Sequence, residues 1–253
     1  KGVNSSKQEL NFTIEYSQDV PGQIYSKSDI GIYQYTEERK AGPHAISGII
    51  DVHSNYTPTD QDISYTSFGK VAVITQGDYR VELLYGPDQA RKTMEVYEKG
   101  SLKRKVYYFG NYERHEEEGN ITELYYIYAH SGLAAIYKKD NGSNGNMYFV
   151  HTDHLGSIHA VTDNANSPVK ARYYYNPWGV RKFVNTENGK DILNSNDLSW
   201  LHRGFTGHEH ITEIGLINMN GRVYDPELGM FLSPDPQLQA PDNPINFNRY
   251  SYA

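Results

Sequence analysis

Apolar and polar residues alternate in short runs along most of the chain. Ile63 to Thr66 and Lys70 to Ile74 flank Ser67-Phe68-Gly69, and Tyr79 to Tyr85 (YRVELLY) stops at Gly86-Pro87-Asp88. Thr93 to Tyr97, Lys105 to Phe109 and Leu124 to Tyr128 follow, separated by Gly100, Gly110 and Gly119-Asn120. A period of two places successive side chains on opposite faces of a strand, and Gly, Pro, Asn and Asp between runs mark turns. The pattern predicts an antiparallel meander. No sustained 3.6 period occurs before about residue 190, so no long helix is expected there. In Asp191 to Glu209, Asn196-Asp197 are placed to cap a short helical turn through Leu201, ending before Gly204. Beyond it the strand pattern returns, and Asn220-Gly221 is a strong hairpin signal.

A coarser rhythm lies over these runs. Tyr65, Tyr85, Tyr107, Tyr126, Tyr148 and Tyr174 recur at a roughly 20-residue interval, as in units that bury an apolar face only by stacking on neighbours. Tyr65 to Gly69 (YTSFG) and Tyr175 to Gly179 (YNPWG) share the form Tyr-x-x-aromatic-Gly, carried by Tyr65, Phe68 and Gly69 and by Tyr175, Trp178 and Gly179. Tyr224 to Gly229 (YDPELG) is a variant. Each reads as a strand entering on Tyr, a tight turn closed by Gly, and a strand leaving.

Composition supports sheet. The chain of 253 residues holds 23 Tyr against 8 Phe and 2 Trp, and tyrosine suits a half-buried pleated surface with its hydroxyl in water. At 38% hydrophobic and 22% charged residues it is neither disordered nor membrane-like, and no apolar run approaches the ~20 residues of a membrane-spanning helix. A net charge of −7 argues against nucleic-acid binding. The one basic run, Lys99 to Lys105 (KGSLKRK), reads as a solvated hairpin end in preference to a phosphate site. There are no cysteines, which removes disulfides and thiolate metal sites. With Lys1 first and no initiator Met, the sequence reads as a mature fragment or an excised piece of a longer chain.

Few residues offer chemistry. Asp225 and Asp235, with Arg222 beside them, would make an acidic pair if they faced each other. Each also precedes Pro, where Asp forms turns by bonding backbone N–H groups, and that reading is preferred, with Arg222 as a structural partner to a carboxylate. His151, His154, His159, His208 and His210, with Glu209, match no closed zinc spacing. Asp153-His154-Leu155-Gly156 reads instead as a turn bonded by the imidazole. Ser157 lacks a GxSxG setting, and neither a P-loop nor GxGxxG occurs. The sequons at Asn120 and Asn141 read as exposed turns. Trp178, Tyr173 to Tyr175 and Trp200 would suit a sugar-stacking platform, the alternative being aromatics that pave the inside of a sheet. No metal or cofactor is expected.

Four motifs in order carry a family resemblance: His151 to Asp163 (HTDHLGSIHAVTD), Arg172 to Gly179 (RYYYNPWG), Phe205 to His210 (FTGHEH) and Gly215 to Pro236. They resemble the Rhs repeat-associated core domain of Rhs/YD-repeat proteins, in the form common in Bacteroidetes. Ala41 to Ser47 (AGPHAIS) and YTSFG resemble the YD repeats before that core. The resemblance covers roughly residues 30 to 253 and makes Asp153, His154, Gly156, Gly207, Tyr224 and Gly229 motif residues. It implies an all-β antiparallel ribbon spiralling into a shell, with 1–147 as repeat region and 148–253 as a core-domain cap with short helical turns. It further implies a structural carrier, secreted or on a bacterial cell surface. Its partners would be the rest of the parent polypeptide, a C-terminal toxin or effector, or a secretion-system or surface partner. The alternatives are an adhesin or carbohydrate-binding module, or part of an aspartate self-cleaving core. Self-cleavage in such proteins uses an Arg and two Asp near a DPxG segment, which is expected beyond Ala253, so this chain is not expected to be an enzyme.

Overall fold

The computed structural model describes residues 2–3, 9–10, 13–35, 45–54, 56–163, 169–183, 185–187, 190–192, 198–237 and 242–252. The expected meander is present as one 12-stranded antiparallel sheet in which every strand pairs with its sequence neighbours. A small hairpin, β1 (Gly2–Val3) and β2 (Glu9–Leu10), comes first. A four-stranded sheet follows: β3 (Ile14–Tyr16), β4 (Ile24–Lys27), β5 (Gly31–Gln34) and β6 (Gly48–Ile50).

The main sheet begins with β7 (Gln61–Tyr65), β8 (Val71–Gln76), β9 (Tyr79–Tyr85) and β10 (Arg91–Glu98). It continues through β11 (Ser101–Phe109), β12 (Tyr112–Glu117), β13 (Asn120–Ala129) and β14 (Gly132–Asp140). It ends with β15 (Asn146–Thr152), β16 (Ile158–Thr162), β17 (Ala171–Tyr175) and β18 (Arg181–Phe183). β19 (Asn185–Glu187) and β20 (Lys190–Ile192) form a separate hairpin. The last sheet is β21 (Glu209–Ile211), β22 (Leu216–Asn218), β23 (Val223–Asp225) and β24 (Met230–Phe231), here called the cover.

Alternation along the strands decides which face each residue occupies. Ile74, Val81, Met94, Val96, Val106, Leu124 and Ile136 point inward and are fully buried. The cover lies on that face: Ile211, Ile214, Leu216 and Val223 pack with Val71, Ile74, Val81, Met94 and Val106. Burying such side chains stabilises by about 1.5–3 kcal/mol each. Leu198 and Leu201 extend the packing over Leu124, Ile136, Ile158 and Val161. On its other side the cover reaches the N-terminal sheet, where Met230 and Tyr250 join Ile24, Ile30 and Tyr33. Residues 220–236 thereby touch both sheets.

Several expectations change. Leu201 N–H donates to the Leu198 carbonyl at 2.9 Å, a single turn, whereas Asn196-Asp197 lie outside the described residues, as do Ala41 to His44 of the upstream motif. The recurring tyrosines do not share a face: Tyr126 is 4% exposed but Tyr174 45% and Tyr65 37%. Strand lengths differ and register shifts at Ser64/Tyr65 and Ile127/Tyr128, so a constant sequence interval does not preserve the face. Paving of the inside by this series is therefore corrected to an aromatic presence on both faces. The run Lys99 to Lys105 is only partly a solvated end: Lys99 is exposed, while Arg104, inward with Val106, is 0% exposed.

Candidate functional site

The tight turns have one construction. In YTSFG, Thr66 N–H donates to the Lys70 carbonyl and Gly69 N–H returns to the Thr66 carbonyl, with Gly69 at φ 79°. In YNPWG, Asn176 and Val180 replace Thr66 and Lys70, and Gly179 has φ 96°. Asp153 to Ser157 and Gly204 to His208 repeat the pattern around Gly156 and Gly207. In three of the four turns the side chain at the first position holds the loop, the exception starting at Gly204: Asn176 Oδ1 accepts from Trp178 N–H at 3.0 Å and Val180 N–H at 2.9 Å. Asp153 Oδ1 accepts from Leu155 and Ser157 N–H at 2.9 and 2.8 Å. The carboxylate holds this turn; the His154 ring, exposed, is not its bonding group. Asp225 Oδ1 accepts from Glu227 and Leu228 N–H in the longer YDPELG loop, closed by Gly229 N–H to the Asp225 carbonyl.

Between sheet and cover lies a buried charged seam. Arg104 grips Glu213 with two bonds, Nε to Oε1 at 3.0 Å and Nη2 to Oε2 at 2.9 Å. Arg91 Nη1 sits 2.8 Å from Glu209 Oε2, its guanidinium 3.8 Å over the Tyr108 ring, and the Tyr108 hydroxyl donates to both Glu209 oxygens. Arg203 repeats the device in mirror order. It pairs with Glu113 and lies 4.4 Å over the Tyr126 ring, whose hydroxyl donates to Glu113 Oε2 at 2.8 Å. Arg91, Arg104 and Glu113 belong to the sheet, and Glu209, Glu213 and Arg203 to the segment crossing it. All three pairs therefore cross the seam, and their charges cancel.

Electrostatics keep Glu113 charged. Burial pushes the Glu113 carboxyl up, but the Arg203 guanidinium and His115 outweigh it and hold it down at about 2. His115 Nε2 lies 3.0 Å from Glu113 Oε2, and its ring stacks on His202 at 5.4 Å. Burial, with Arg104 nearby, pushes His202 well below the usual imidazole range. Nothing in the polar sequence of β12 advertised Glu113 and His115; the usable signal was the alternation Arg104-x-Val106-x-Tyr108 on the preceding strand.

The other sequence candidates are dispersed. Asp225 and Asp235 line different cavities. Asp225 is 6% exposed, and burial raises its carboxyl to about 6 against the lowering effect of the Leu228 N–H bond. Asp235 meets Arg222 Nη2 at 2.9 Å in a cavity of about 190 Å³, and Arg222 Nη1 donates to the Arg249 carbonyl, so the pair is single-contact, not bidentate. Tyr65 donates from its hydroxyl to the Leu232 carbonyl at 2.7 Å, and Phe68 meets the Tyr85 ring edge-on.

Tyr224 is fully buried against Phe231 and Tyr252. Tyr175 packs on Phe205 and donates to the Ile158 carbonyl. Trp178 lies under the Lys27 ammonium and along Gly229, whereas Trp200 meets the Tyr148 ring at a tilt of 51°. With Tyr173 1% exposed, these aromatics do not form one open platform. The histidines are also separate: His210 Nε2 accepts from Phe205 N–H at 3.1 Å, His208 meets Thr206, and His151, His154 and His159 are exposed. Among the described residues no three His, Asp or Glu side chains are placed to hold a metal, and no helix is long and apolar enough to cross a membrane.

The long meander, Gly-closed Tyr turns and self-covering C-terminal segment define an Rhs/YD-repeat shell. Residues 49–253 match the teneurin YD-shell family, and the chain belongs to it. The tRNA3(Ser)-specific nuclease WapA of Bacillus spizizenii is 27% identical over 214 residues, 76% of this chain and 8% of that protein. Salivary gland surface protein 1 of Aedes aegypti is 33% identical over 120 residues, 47% of this chain and 3% of that protein. The Photorhabdus luminescens Tc holotoxin pore contains a matching fold, with TM-score 0.61, 17% identity, and coverage of 76% of this chain and 9% of its own. The crystal structure of TcdB2-TccC3 matches with TM-score 0.59 and 18% identity over 76% of this chain. The chain thus spans a tenth or less of the length of these relatives.

Proposed function

We propose that the chain is a wall-and-closure segment of a protein shell, and that it carries or presents a C-terminal effector or partner of its parent polypeptide. In this reading 1–147 supplies the repeat wall and 148–253 the closing core domain. The parent is a secreted or cell-surface bacterial protein, and the segment acts structurally, without catalysis of its own. The observation that carries the reading is the seam: a wide sheet whose inner face is locked by charge and apolar packing to the chain's own C-terminal sheet. The names of the WapA nucleases and the Tc holotoxin pore support a wall associated with a toxic cargo.

Limited proteolysis of the parent polypeptide tests this. The region C-terminal to the shell is expected to resist trypsin while the wall is intact and to become cleavable when Arg104→Ala opens the seam. Cleavage of that region at the same rate in both proteins would refute the carrier role.

A further inference from the structure

A cleft of about 770 Å³ separates the N-terminal sheet from the start of the main sheet. Both of its flanking strands are sheet edges. Among the described residues β6 pairs only with β5, and β7 only with β8. Gly48 and Ile49 of β6 and Gln61, Asp62 and Ile63 of β7 all contribute to the lining. An edge strand presents unpaired N–H and C=O groups and is a template for a further strand.

The walls specify what kind of strand would fit. Among the described residues Asp60, Asp62 and Asp225 line the cleft, and no Lys, Arg or His does. Among the described residues neither Asp60 nor Asp62 makes an ion pair. Asp60 directly precedes β7, and Asp62 on β7 is exposed while the adjacent Ile63 turns to the other face and packs on the core beneath. Within the connection to β7, Tyr56, Pro58, Thr59 and Asp60 form part of the wall.

We propose that this cleft binds, by strand addition between β6 and β7, an extended segment of a partner protein in which basic and apolar residues alternate. Basic side chains would lie opposite Asp60 and Asp62, and apolar ones beside Ile49, Ile63 and Leu228. Backbone pairing would give affinity and the acidic wall the choice of sequence. Asp60 and Asp62 have a competing role as charges that merely keep an edge from self-pairing, and the experiment separates the two.

The probe is a fluorescein-labelled peptide KVKVKVK, titrated with the whole chain and followed by anisotropy. The expected result is saturable binding that weakens as salt rises and falls about tenfold or more with Asp62→Lys, an exposed change that leaves the core intact. The peptide EVEVEVE and a KVKVKVK peptide N-methylated at alternate residues should both fail to bind. Absence of saturable binding would overturn the proposal, as would equal binding of the N-methylated peptide or indifference to Asp62→Lys. Sedimentation of the free chain completes the test: a monomer is expected, and a dimer abolished by Asp62→Lys would make a second copy the occupant and overturn the partner assignment.

Discussion

Arg104 shows how little a residue's type says about its place. It stands between two lysines, yet its side chain is 0% exposed and doubly bonded to Glu213. Removing one partner of such a pair leaves an uncompensated buried charge, at a cost of about 3–5 kcal/mol. Arg104→Ala should lower the melting temperature by roughly 10 °C, on the usual conversion for a chain of this size. Arg104→Met combined with Glu213→Leu should recover most of that loss. A double variant no more stable than Arg104→Ala would mean that the pair does not act as a unit.

Glycines of similar backbone conformation should differ for the same reason, their surroundings. Gly69 has open space where a Cβ would go, whereas a Cβ at Gly179 would lie 2.6 Å from the Phe205 ring. Gly69→Ala should cost about 1–2 kcal/mol from the left-handed backbone alone, and Gly179→Ala clearly more. Equal losses in thermal denaturation would contradict the packing.

Acid stability also follows from single residues. Burial holds His208 at about 4 and His210 at about 3, below the 6.5 of an exposed imidazole. Between those values the unfolded chain binds more protons, so these residues make stability fall as pH drops from about 6.5 toward 3. Asp225 works the other way: raised to about 6, it is protonated in the folded chain before the unfolded one, and so favours folding as pH falls from about 6 to 3.8. Asp225→Asn should steepen the loss of stability over that interval in denaturant titrations at stepped pH. An unchanged slope would remove Asp225 from the account.

At the scale of elements, the turns matter more than their tyrosines suggest. The Tyr-x-x-aromatic-Gly form was readable in the sequence, but the position that organises the loops at 66–70, 153–157 and 176–180 is the Thr, Asp or Asn at the start. Asn176→Ala and Asp153→Ala each remove an acceptor of two backbone N–H groups, and Thr66→Ala an acceptor of one. The first two should each cost about 1–3 kcal/mol and Thr66→Ala less, as measured by chemical denaturation.

Most strands were legible because one side alternates apolar. β12 was not, because its inward residues are Glu113 and His115, which bond each other and whose charge is balanced by Arg203, ninety residues along the chain. Period-two patterning reveals a face but cannot distinguish a buried ion pair from a wetted one. The seam was therefore hidden even where the sheet was plain.

For the whole molecule, the order of strands follows the order of the sequence, which is why the ribbon could be read in advance. The cover could not, since its pairing with β10–β12 joins segments about a hundred residues apart, such as Arg104 with Glu213. The central claim is that sheet and cover form one cooperative body locked by that seam. Hydrogen–deuterium exchange of the native chain and of Glu209→Gln tests it most directly. Residues 91–115 and 205–218 should open with the same free energy and lose protection together in the variant; independent, faster exchange of 205–218 with 91–115 unchanged would contradict it.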